Sequence, residues 1–244
     1  MILLDCGNRY LKAQFRAAGR LQASYAGAYR SGWRQRLGHW MQGLPATHCY
    51  LASVLDASRQ AELEQFLLEQ FGAAVTRFVS TAKVMGVTNG YRQPERLGDD
   101  RWMTLLAARE MAAADCIVID AGSAITLDLL RADGQHLGGA ILPGFNTSIE
   151  QFKRIFKFID FDDPEIAETR QPGCSTEAAI HIDYAQTATE TLPQLVNRWI
   201  QIFDDGATLL LAGGDAGRVQ RVLDQPSRIV PDLVFRGIRR LAEQ

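Results

Sequence analysis

Short apolar runs and helix-like patterns alternate along the whole chain. Met1–Leu4 and Cys116–Ile119 are continuous apolar runs, and each is followed at once by an aspartate and, two residues later, a glycine. Such runs are typical of buried strands that end in a turn. Leucine and phenylalanine at helical spacing predict a helix over Ala57–Phe71. The pattern predicts an α/β protein.

The two apolar runs open two copies of one pattern. At the offset that separates Asp5 from Asp120, Gly7 matches Gly122. In each copy, turns that contain glycine join three predicted strands into a meander. The elements predicted after the first run are strands Tyr10–Phe15 and Leu21–Tyr25, helix Trp33–Gln42, strand Cys49–Val54, helix Ala57–Phe71 and strand Val75–Val79. The order βββαβαβ and its recurrence indicate an internal duplication.

The second copy follows the same order with insertions. Its predicted elements are strands Ile125–Leu130, His136–Leu142 and Thr208–Ala212, and helical stretches Ile149–Phe156 and Glu177–Phe203. Turn residues predict a mobile loop over Phe161–Gly173. We therefore expect two halves, residues 1–100 and 101–244, with an acidic turn from each on either side of a cleft that suits a metal-bound nucleotide.

Composition narrows the class of protein. The chain has 244 residues, of which 47% are hydrophobic, so it can bury a substantial core. Its 26 basic and 28 acidic residues give a net charge of −2, which provides no global argument for a nucleic-acid or membrane-surface protein. The four cysteines lack metal-ligand spacing and are expected to be reduced thiols. No leader or membrane-spanning run is recognisable, which predicts a cytoplasmic protein.

The repeated Asp-x-Gly turn is the first candidate for chemistry. Glycine lets a backbone turn approach a phosphate closely, and the aspartate adds a carboxylate beside it. A single turn of this kind is better explained by a simple hairpin. Two of them, at Asp5 and Asp120, are what phosphoryl transfer needs to hold the cations that neutralise the transferred group.

A second candidate is the polar and aromatic segment between Tyr91 and Trp102, at the start of a predicted helix. A carboxylate beside an arginine near a helix N-terminus can accept a hydroxyl proton while the cation holds an anion. The alternative is an N-capping aspartate with a surface ion pair. Only one of Asp99 and Asp100 needs to be functional.

Two glycine-rich turns and a basic segment are more ambiguous. Gly138–Gly144 could let a ligand lie against backbone, or could be a close strand crossing in the core. The amides of Gly213–Asp215 could contact a nucleotide, although a plain strand-to-helix turn explains them equally well. Seven cations and no acid lie between Cys6 and Leu55. They could steer an anion or bind nucleic acid, although a solvated face is the favoured interpretation.

Together these motifs resemble the type III pantothenate kinase family, in its order and spacing. The Leu-Gly-x-Asp-Arg element distinguishes that family from other actin-like kinases, and the resemblance covers essentially the whole chain. The matching segments are Asp5-Cys6-Gly7-Asn8 with Lys12, Asn89-Gly90-Tyr91, Leu97–Trp102, Asp120–Ala124, Gly138–Gly144 and Gly213–Asp215.

The resemblance implies a fold and an activity. The fold would be the duplicated RNase H-like fold of actin-like ATPases, with two βββαβαβ halves around a nucleotide cleft. The activity would be ATP-dependent phosphorylation of pantothenate to 4'-phosphopantothenate, the first step of coenzyme A biosynthesis. The resemblance also implies Mg²⁺ with ATP, a monovalent cation (K⁺ or NH₄⁺) and a homodimer.

It also implies roles for individual residues. Asp100 would be the catalytic base, and Asp120 would bind the monovalent cation. The residues expected to bind pantothenate are Tyr91, Gly98, Asp99 and Arg101, joined by Thr176 across the dimer. The residues expected to bind ATP are Asp5, Cys6, Gly7, Asn8, Arg9, Tyr10, Leu11 and Lys12, with Ser123 at the phosphates.

Two departures from the family pattern matter. Arg9 stands where the family has threonine or serine, and its guanidinium could clamp the γ-phosphate or point to solvent. Ser123 replaces a threonine but keeps the hydroxyl. A catalytically impaired member that binds nucleic acid or regulates is therefore the alternative. A nuclease of the same fold would need three or four convergent acids, and only Asp5, Asp120 and Asp100 are placed for that.

Overall fold

The computed structural model describes residues 1–71, 75–155, 172, 174–179, 190–204 and 206–244. The chain forms two compact units. The first contains Met1–Met111, Asp133–His136 and Asp232–Gln244, and the second contains Ala112–Ala132 and Leu137–Pro231. The first unit thus continues past residue 100, where the sequence pattern places the boundary between the halves, and includes the helix that follows.

The first unit is built on a five-stranded sheet. Its elements are β1 Ile2–Cys6, β2 Tyr10–Ala17, β3 Arg20–Ala28, α1 Trp33–Met41, β4 Cys49–Ser53, α2 Ala57–Phe71, β5 Val75–Arg77, β6 Lys83–Val84, β7 Val87–Thr88 and α3 Asp99–Met111. The strand order is β3-β2-β1-β4-β5, with β1 antiparallel to β2 and parallel to β4. The predicted meander and βαβ crossover are confirmed.

Burial explains the order of this sheet. All five residues of β1 are buried, as its continuous apolar run predicts for a central strand. Helix α2 buries Leu63, Phe66 and Leu67 at helical spacing. The Asp56 carboxylate accepts a hydrogen bond from the Arg59 backbone amide at 3.0 Å and so caps the start of α2.

The second unit repeats the architecture. Its elements are β8 Cys116–Ala121, β9 Ala124–Leu130, β10 His136–Pro143, α4 Phe145–Ile155, α5 Leu192–Ile200, β11 Thr208–Ala212, α6 Ala216–Val222 and β12 Ser227–Ile229. The strand order is β10-β9-β8-β11-β12, which matches that of the first sheet element for element. The duplication predicted from the offset is therefore confirmed.

The second copy departs from its predicted boundaries in two places. Helix α4 begins at Phe145, four residues before the predicted Ile149. The predicted loop Phe161–Gly173 lies outside the described residues apart from Pro172. Of the predicted helix Glu177–Phe203, residues 180–189 lie outside the described residues, and the described remainder includes α5. Among the described helices, none has the length and apolar character needed to cross a membrane.

A last helix, α7 Leu233–Ala242, follows the second sheet in sequence but belongs to the first unit. It packs against α3, and a Cβ at Gly237 would overlap the Met103 carbonyl oxygen. The two helix backbones therefore touch where glycine removes the side chain. The Arg240 and Glu110 side chains form an ion pair at 3.6 Å further along the same contact.

Candidate active site

The first acidic turn is a tight hairpin between β1 and β2. Cys6 pairs with Leu11, and the Gly7 amide donates to the Tyr10 carbonyl oxygen at 3.0 Å. A Cβ at Gly7 would lie 3.3 Å from that oxygen, which is tight for any larger residue. Asn8 and Tyr10 are exposed at the tip, where their groups can reach a ligand.

The two strands that carry this turn place opposite charges side by side. Asp5 on β1 is opposite Lys12 on β2, with carboxylate and ammonium 3.8 Å apart. Cys6 and Leu11 are buried, so they can present only backbone to a ligand. Burial, followed by the neighbouring Asp5 charge, raises the pKa of the Cys6 thiol well above its usual value. Cys6 is therefore a neutral packing residue.

Two residues that the sequence analysis missed hold this turn from outside. The Arg59 guanidinium on α2 donates to the Asn8 carbonyl oxygen at 3.2 Å and lies 5.7 Å from the centre of the Tyr29 ring. The Tyr29 amide in turn donates to the Arg9 carbonyl oxygen at 2.7 Å. These contacts join residues that are far apart in the sequence. The only local signal for them is a cationic side chain, Arg59, at the start of a predicted helix.

The second acidic turn lies between β8 and β9, and glycine turns from two neighbouring strands pack against it. The Gly144 amide donates to the Ser123 carbonyl oxygen at 3.1 Å, and a Cβ at Gly144 would overlap the Gly122 carbonyl oxygen. A Cβ at Gly213 would lie 2.5 Å from a carboxylate oxygen of Asp120. Glycine at these positions lets three backbone turns meet around one carboxylate.

Hydrogen bonds tie these turns to the elements that follow. Thr147 on α4 donates its hydroxyl to the Ser123 carbonyl oxygen at 2.6 Å. The Asp215 amide donates to the Ala121 carbonyl oxygen at 3.0 Å. Asp120, Ser123 and the Gly213–Asp215 turn thus lie at one end of the second sheet, as the parallel pairing of β8 and β11 requires.

A buried asparagine organises the segment before α3. Asn89 donates from its side-chain amide to the Ser80 hydroxyl at 3.0 Å and to the Pro94 carbonyl oxygen at 3.1 Å. Its side-chain oxygen accepts from the Tyr91 amide at 2.9 Å. One side chain therefore fixes the turn that presents Tyr91.

Tyr91 and Arg101, both predicted to bind substrate, form a contact pair. The buried Arg101 guanidinium donates to the Tyr91 hydroxyl at 2.8 Å, and its carbon lies 5.6 Å from the ring centre. The His136 ring stacks on Tyr91 at 5.9 Å and accepts from the Gly90 amide at 3.3 Å. His136 is a fully buried support that the sequence analysis did not single out.

Asp100 lies against Gly98 at the start of α3. Its carboxylate accepts from the Arg101 amide at 2.7 Å, and a Cβ at Gly98 would lie 2.6 Å from the same oxygen. That Cβ would also lie 3.4 Å from Val54, whose amide donates to the Cys6 carbonyl oxygen at 3.1 Å. The structure therefore brings Asp100 to the edge of the first sheet where β1 ends.

Asp99 has a different environment from its neighbour. Its carboxylate accepts from the Ser80 amide at 2.9 Å and from the Arg77 guanidinium at 3.2 Å. Burial raises the pKa of Asp99, and the hydrogen bonds from Ser80 and Arg77 oppose that rise. The two adjacent carboxylates have separate partners, and Asp99 is engaged with protein groups.

The remaining predicted residues are more isolated. Thr176 is exposed in a short described stretch of the second unit, where the neighbouring Ser175 hydroxyl accepts from the Ala178 amide at 3.1 Å. In the basic segment, Arg34 pairs with Glu62 at 3.1 Å and Arg36 donates to the Ser31 carbonyl oxygen at 2.9 Å. These cations serve the fold, in line with the solvated-face interpretation.

The carboxylates of Asp5 and Asp120 fit a metal ion that binds together with the phosphates of a substrate. Within the described part of the chain, no three histidine, cysteine or acidic side chains cluster as metal ligands. Mg²⁺ in phosphoryl-transfer sites is bound through one or two carboxylates together with substrate phosphates and water. Asp5 in the first unit and Asp120 in the second, each beside a glycine turn, each supply a carboxylate of the type such an ion uses.

The architecture identifies the general class. The two sheets of equal order define a duplicated, actin-like α/β fold. Solved structures agree: ethanolamine utilization protein EutJ from Carboxydothermus hydrogenoformans matches with a TM-score of 0.57 at 14% identity, covering 97% of this chain and 88% of that one. A ROK family glucokinase from Streptomyces griseus matches with a TM-score of 0.54 at 11% identity, covering 100% and 99%.

Sequence comparison identifies the family. The model of the type III pantothenate kinase family matches residues 1–198. A type III pantothenate kinase from Pseudomonas fluorescens (strain SBW25) is 35% identical over 249 residues, covering 98% of this chain and 97% of that protein. The chain belongs to the type III pantothenate kinase family, and the resemblance noted from its motifs is confirmed.

Proposed function

We propose that this kinase transfers the γ-phosphoryl group of ATP to the hydroxyl of pantothenate, giving 4'-phosphopantothenate for coenzyme A synthesis, with Asp100 as the catalytic base. The observation that carries the assignment of the base is the position of Asp100. Its carboxylate is held over Gly98 and against the Arg101 amide, beside the Arg101–Tyr91 pair.

Asp100 would accept the hydrogen bond of the primary hydroxyl and take its proton as the new phosphorus–oxygen bond forms. A carboxylate is a weak base for an alcohol, so proton transfer comes late and orientation supplies most of the rate. The hydrogen bond from the Arg101 amide fixes the carboxylate before substrate arrives. Preorganisation of this kind costs no rearrangement during the reaction.

Arg101, Tyr91 and Gly98 would bind pantothenate, joined by Thr176 of a second copy in a homodimer. Pantothenate carries a carboxylate, which a buried guanidinium recognises well. Tyr91 restrains the Arg101 side chain from two directions, through its hydroxyl and its ring face. The arginine is therefore ordered in advance of binding, which lowers the entropic cost of holding the substrate.

The turn from Asp5 to Lys12 would bind ATP phosphates through its exposed backbone and cations, with Ser123 contributing a hydroxyl. Arg9 takes the place of a small hydroxyl residue, and we assign its guanidinium to the phosphates. Asp5 and Asp120 are the carboxylates available to Mg²⁺. When bound with ATP, this ion would neutralise charge on the transferred phosphoryl group.

Asp120 would also hold the monovalent cation, K⁺ or NH₄⁺. Its support is the donor set: the carboxylate lies against Gly213, next to the carbonyl oxygen of Ala121. Carboxylate and carbonyl oxygens are the ligands that hard cations prefer. We place the enzyme in the cytoplasm, where ATP and K⁺ are available.

The experiment is ATP-dependent phosphorylation of pantothenate by the purified protein, with and without K⁺, in parallel with an Arg9→Thr variant. Product that depends on K⁺ supports the activity and the cation site together. Product from the variant but none from the natural chain would mean that Arg9 disables the turn. No product from either would overturn the proposed activity.

A further inference from the structure

Asp99 is a buried acid that the proposed reaction does not use. It occupies the variable position of the Leu-Gly-x-Asp-Arg element, directly before the base. Its side chain is only 9% exposed, and its two oxygens accept from the Ser80 amide and the Arg77 guanidinium. A carboxylate occupied in this way has little capacity left for a substrate.

We propose that Asp99 is a positioning residue that fixes the first turn of α3 through Arg77 and Ser80, and thereby aims the carboxylate of Asp100. This replaces direct substrate binding as its role. The inference rests on the proposed function, because Asp100 must be the base for its aim to matter.

Hydrogen bonds connect Asp99 to Tyr91 and Arg101, the residues proposed to bind pantothenate. Ser80 donates its amide to Asp99 and accepts at its hydroxyl from Asn89. Asn89 accepts from the Tyr91 amide, and Tyr91 accepts from Arg101. Ser80 is thus shared by the group that fixes α3 and the turn that presents Tyr91. A shift of Asp99 would be transmitted to both.

Arg77, which pairs with Asp99, also connects to helix α2. Arg77 lies 3.8 Å from Glu64, which accepts from the Gln60 side-chain amide at 2.7 Å. Gln60 is buried, and it pairs with the Ser53 hydroxyl at the end of β4. Asp99 therefore joins α3 to β5, and through β5 to α2, in one polar network. Such networks define a single geometry when every member is satisfied.

The free-energy cost of burying the Asp99 carboxylate favours a role in fixing geometry over a role in stabilising the fold. Taking a carboxylate out of water is costly, and an apolar residue of similar volume often stabilises a fold more than a buried ion pair does. Burial raises the pKa of Asp99 despite the hydrogen bonds from Ser80, Arg77 and Ser53, so the surroundings do not fully compensate the charge. A carboxylate buried at such a cost, adjacent to the base, is well suited to fixing geometry.

The test uses Asp99→Asn, Arg77→Met and the double variant, with Glu110→Gln as the matched control. Glu110 forms an ion pair in the same helix α3, with Arg240 at 3.6 Å, away from the base. Asparagine keeps the shape of Asp99 but turns an amide donor toward Arg77. We expect kcat/KM for pantothenate to fall about tenfold to a hundredfold in each single variant, as for a misplaced catalytic group.

Three further readouts separate positioning from stability. KM for pantothenate should rise, KM for ATP should stay within about twofold, and amide hydrogen exchange in the first turn of α3 should quicken, whereas Glu110→Gln should alter none of these. The double variant should lose less than the product of the single losses, because both act on one contact. Arg77→Met reports on the same contact if Asp99→Asn fails to fold.

Each outcome bears on the inference. Natural values of kcat/KM in both single variants would overturn it. So would a fall in kcat that matches the fraction of unfolded protein measured by circular dichroism, with unchanged KM for pantothenate and unchanged exchange in the folded molecules. If the natural chain fails to phosphorylate pantothenate, the proposed function fails. Amide hydrogen exchange in α3 then still tests whether Asp99 fixes the first turn of this helix. Faster exchange in Asp99→Asn supports that role, and unchanged exchange refutes it.

Discussion

The Arg101 guanidinium binds the Tyr91 side chain twice, by a hydrogen bond of 2.8 Å to the hydroxyl and by lying 5.6 Å from the ring centre. Arg101 is buried at the start of α3, and the His136 ring stacks on Tyr91. These contacts order the pair in the absence of substrate. Its hydrogen bond and its ring contact can be removed separately.

Tyr91→Phe removes the hydrogen bond and keeps the ring. A net hydrogen bond contributes about 0.5–1.5 kcal/mol, so we expect KM for pantothenate to rise by up to about tenfold while kcat changes little. Steady-state kinetics with pantothenate as the varied substrate measures this. Tyr91→Leu, which also removes the ring, should raise KM further. Equal KM values in both variants would contradict the role assigned to the pair.

Asp100→Asn removes the proposed base and keeps its size. General base catalysis contributes roughly 10²- to 10⁴-fold, so we expect kcat to fall by about that factor with KM for ATP nearly unchanged. A single-turnover assay with labelled ATP measures the loss, and the circular dichroism spectrum checks the fold. Activity of the natural magnitude in this variant would show that Asp100 is not the base.

Gly98→Ala tests the space that Asp100 occupies. The added Cβ would lie 2.6 Å from the Asp100 carboxylate, so the proposed base must move, and we expect kcat to fall about tenfold to a hundredfold. Gly217→Ala in α6 is the control, because its Cβ would meet open space. There alanine should leave activity unchanged and add up to about 1 kcal/mol to the free energy of unfolding.

The buried Asp99 carboxylate predicts an unusual dependence of stability on pH. Burial raises its pKa above the 3.8 of an unfolded aspartate, and Ser80, Arg77 and Ser53 oppose that rise only in part. The folded chain then keeps this proton to higher pH than the unfolded chain does. The contribution of Asp99 to the free energy of unfolding therefore falls as pH rises from 3.8 through the folded-state pKa.

Urea unfolding of the natural chain and of Asp99→Asn, at a series of pH values, isolates this contribution. Other titrating groups are common to both chains, so the difference in free energy of unfolding reports on Asp99. We expect the natural chain to lose stability relative to the variant as pH rises above about 4, and the difference to level off once Asp99 is ionised. A relative gain over that interval would mean that the Arg77 pair outweighs burial.

Much of the fold follows from local pattern. The apolar runs before Asp5 and Asp120 predicted the two central strands, because a strand covered on both sides needs apolar residues at every position. The Asp-x-Gly turns marked where those strands end. The match between copies then predicted that the two sheets share one strand order, which the pairing confirms.

The details of the site depend on contacts that no local pattern encodes. Asp99 finds its partners 19 and 22 residues away, so its separation from Asp100 could not be deduced from two adjacent acids. Arg59 reaches Asn8 across 51 residues. Gly98 has no positive φ, and its need for glycine follows only from the position of the Asp100 carboxylate.

The packing of α7 on α3 sets an order of events during synthesis. The ribosome releases α3, which carries Asp100, long before it makes Gly237 and the rest of α7, and all of the second unit is translated between them. Until α7 has been made, it cannot pack against the face of α3 around Met103. The first unit therefore lacks part of the packing around α3 until α7, which follows the whole second unit in the sequence, has been synthesised.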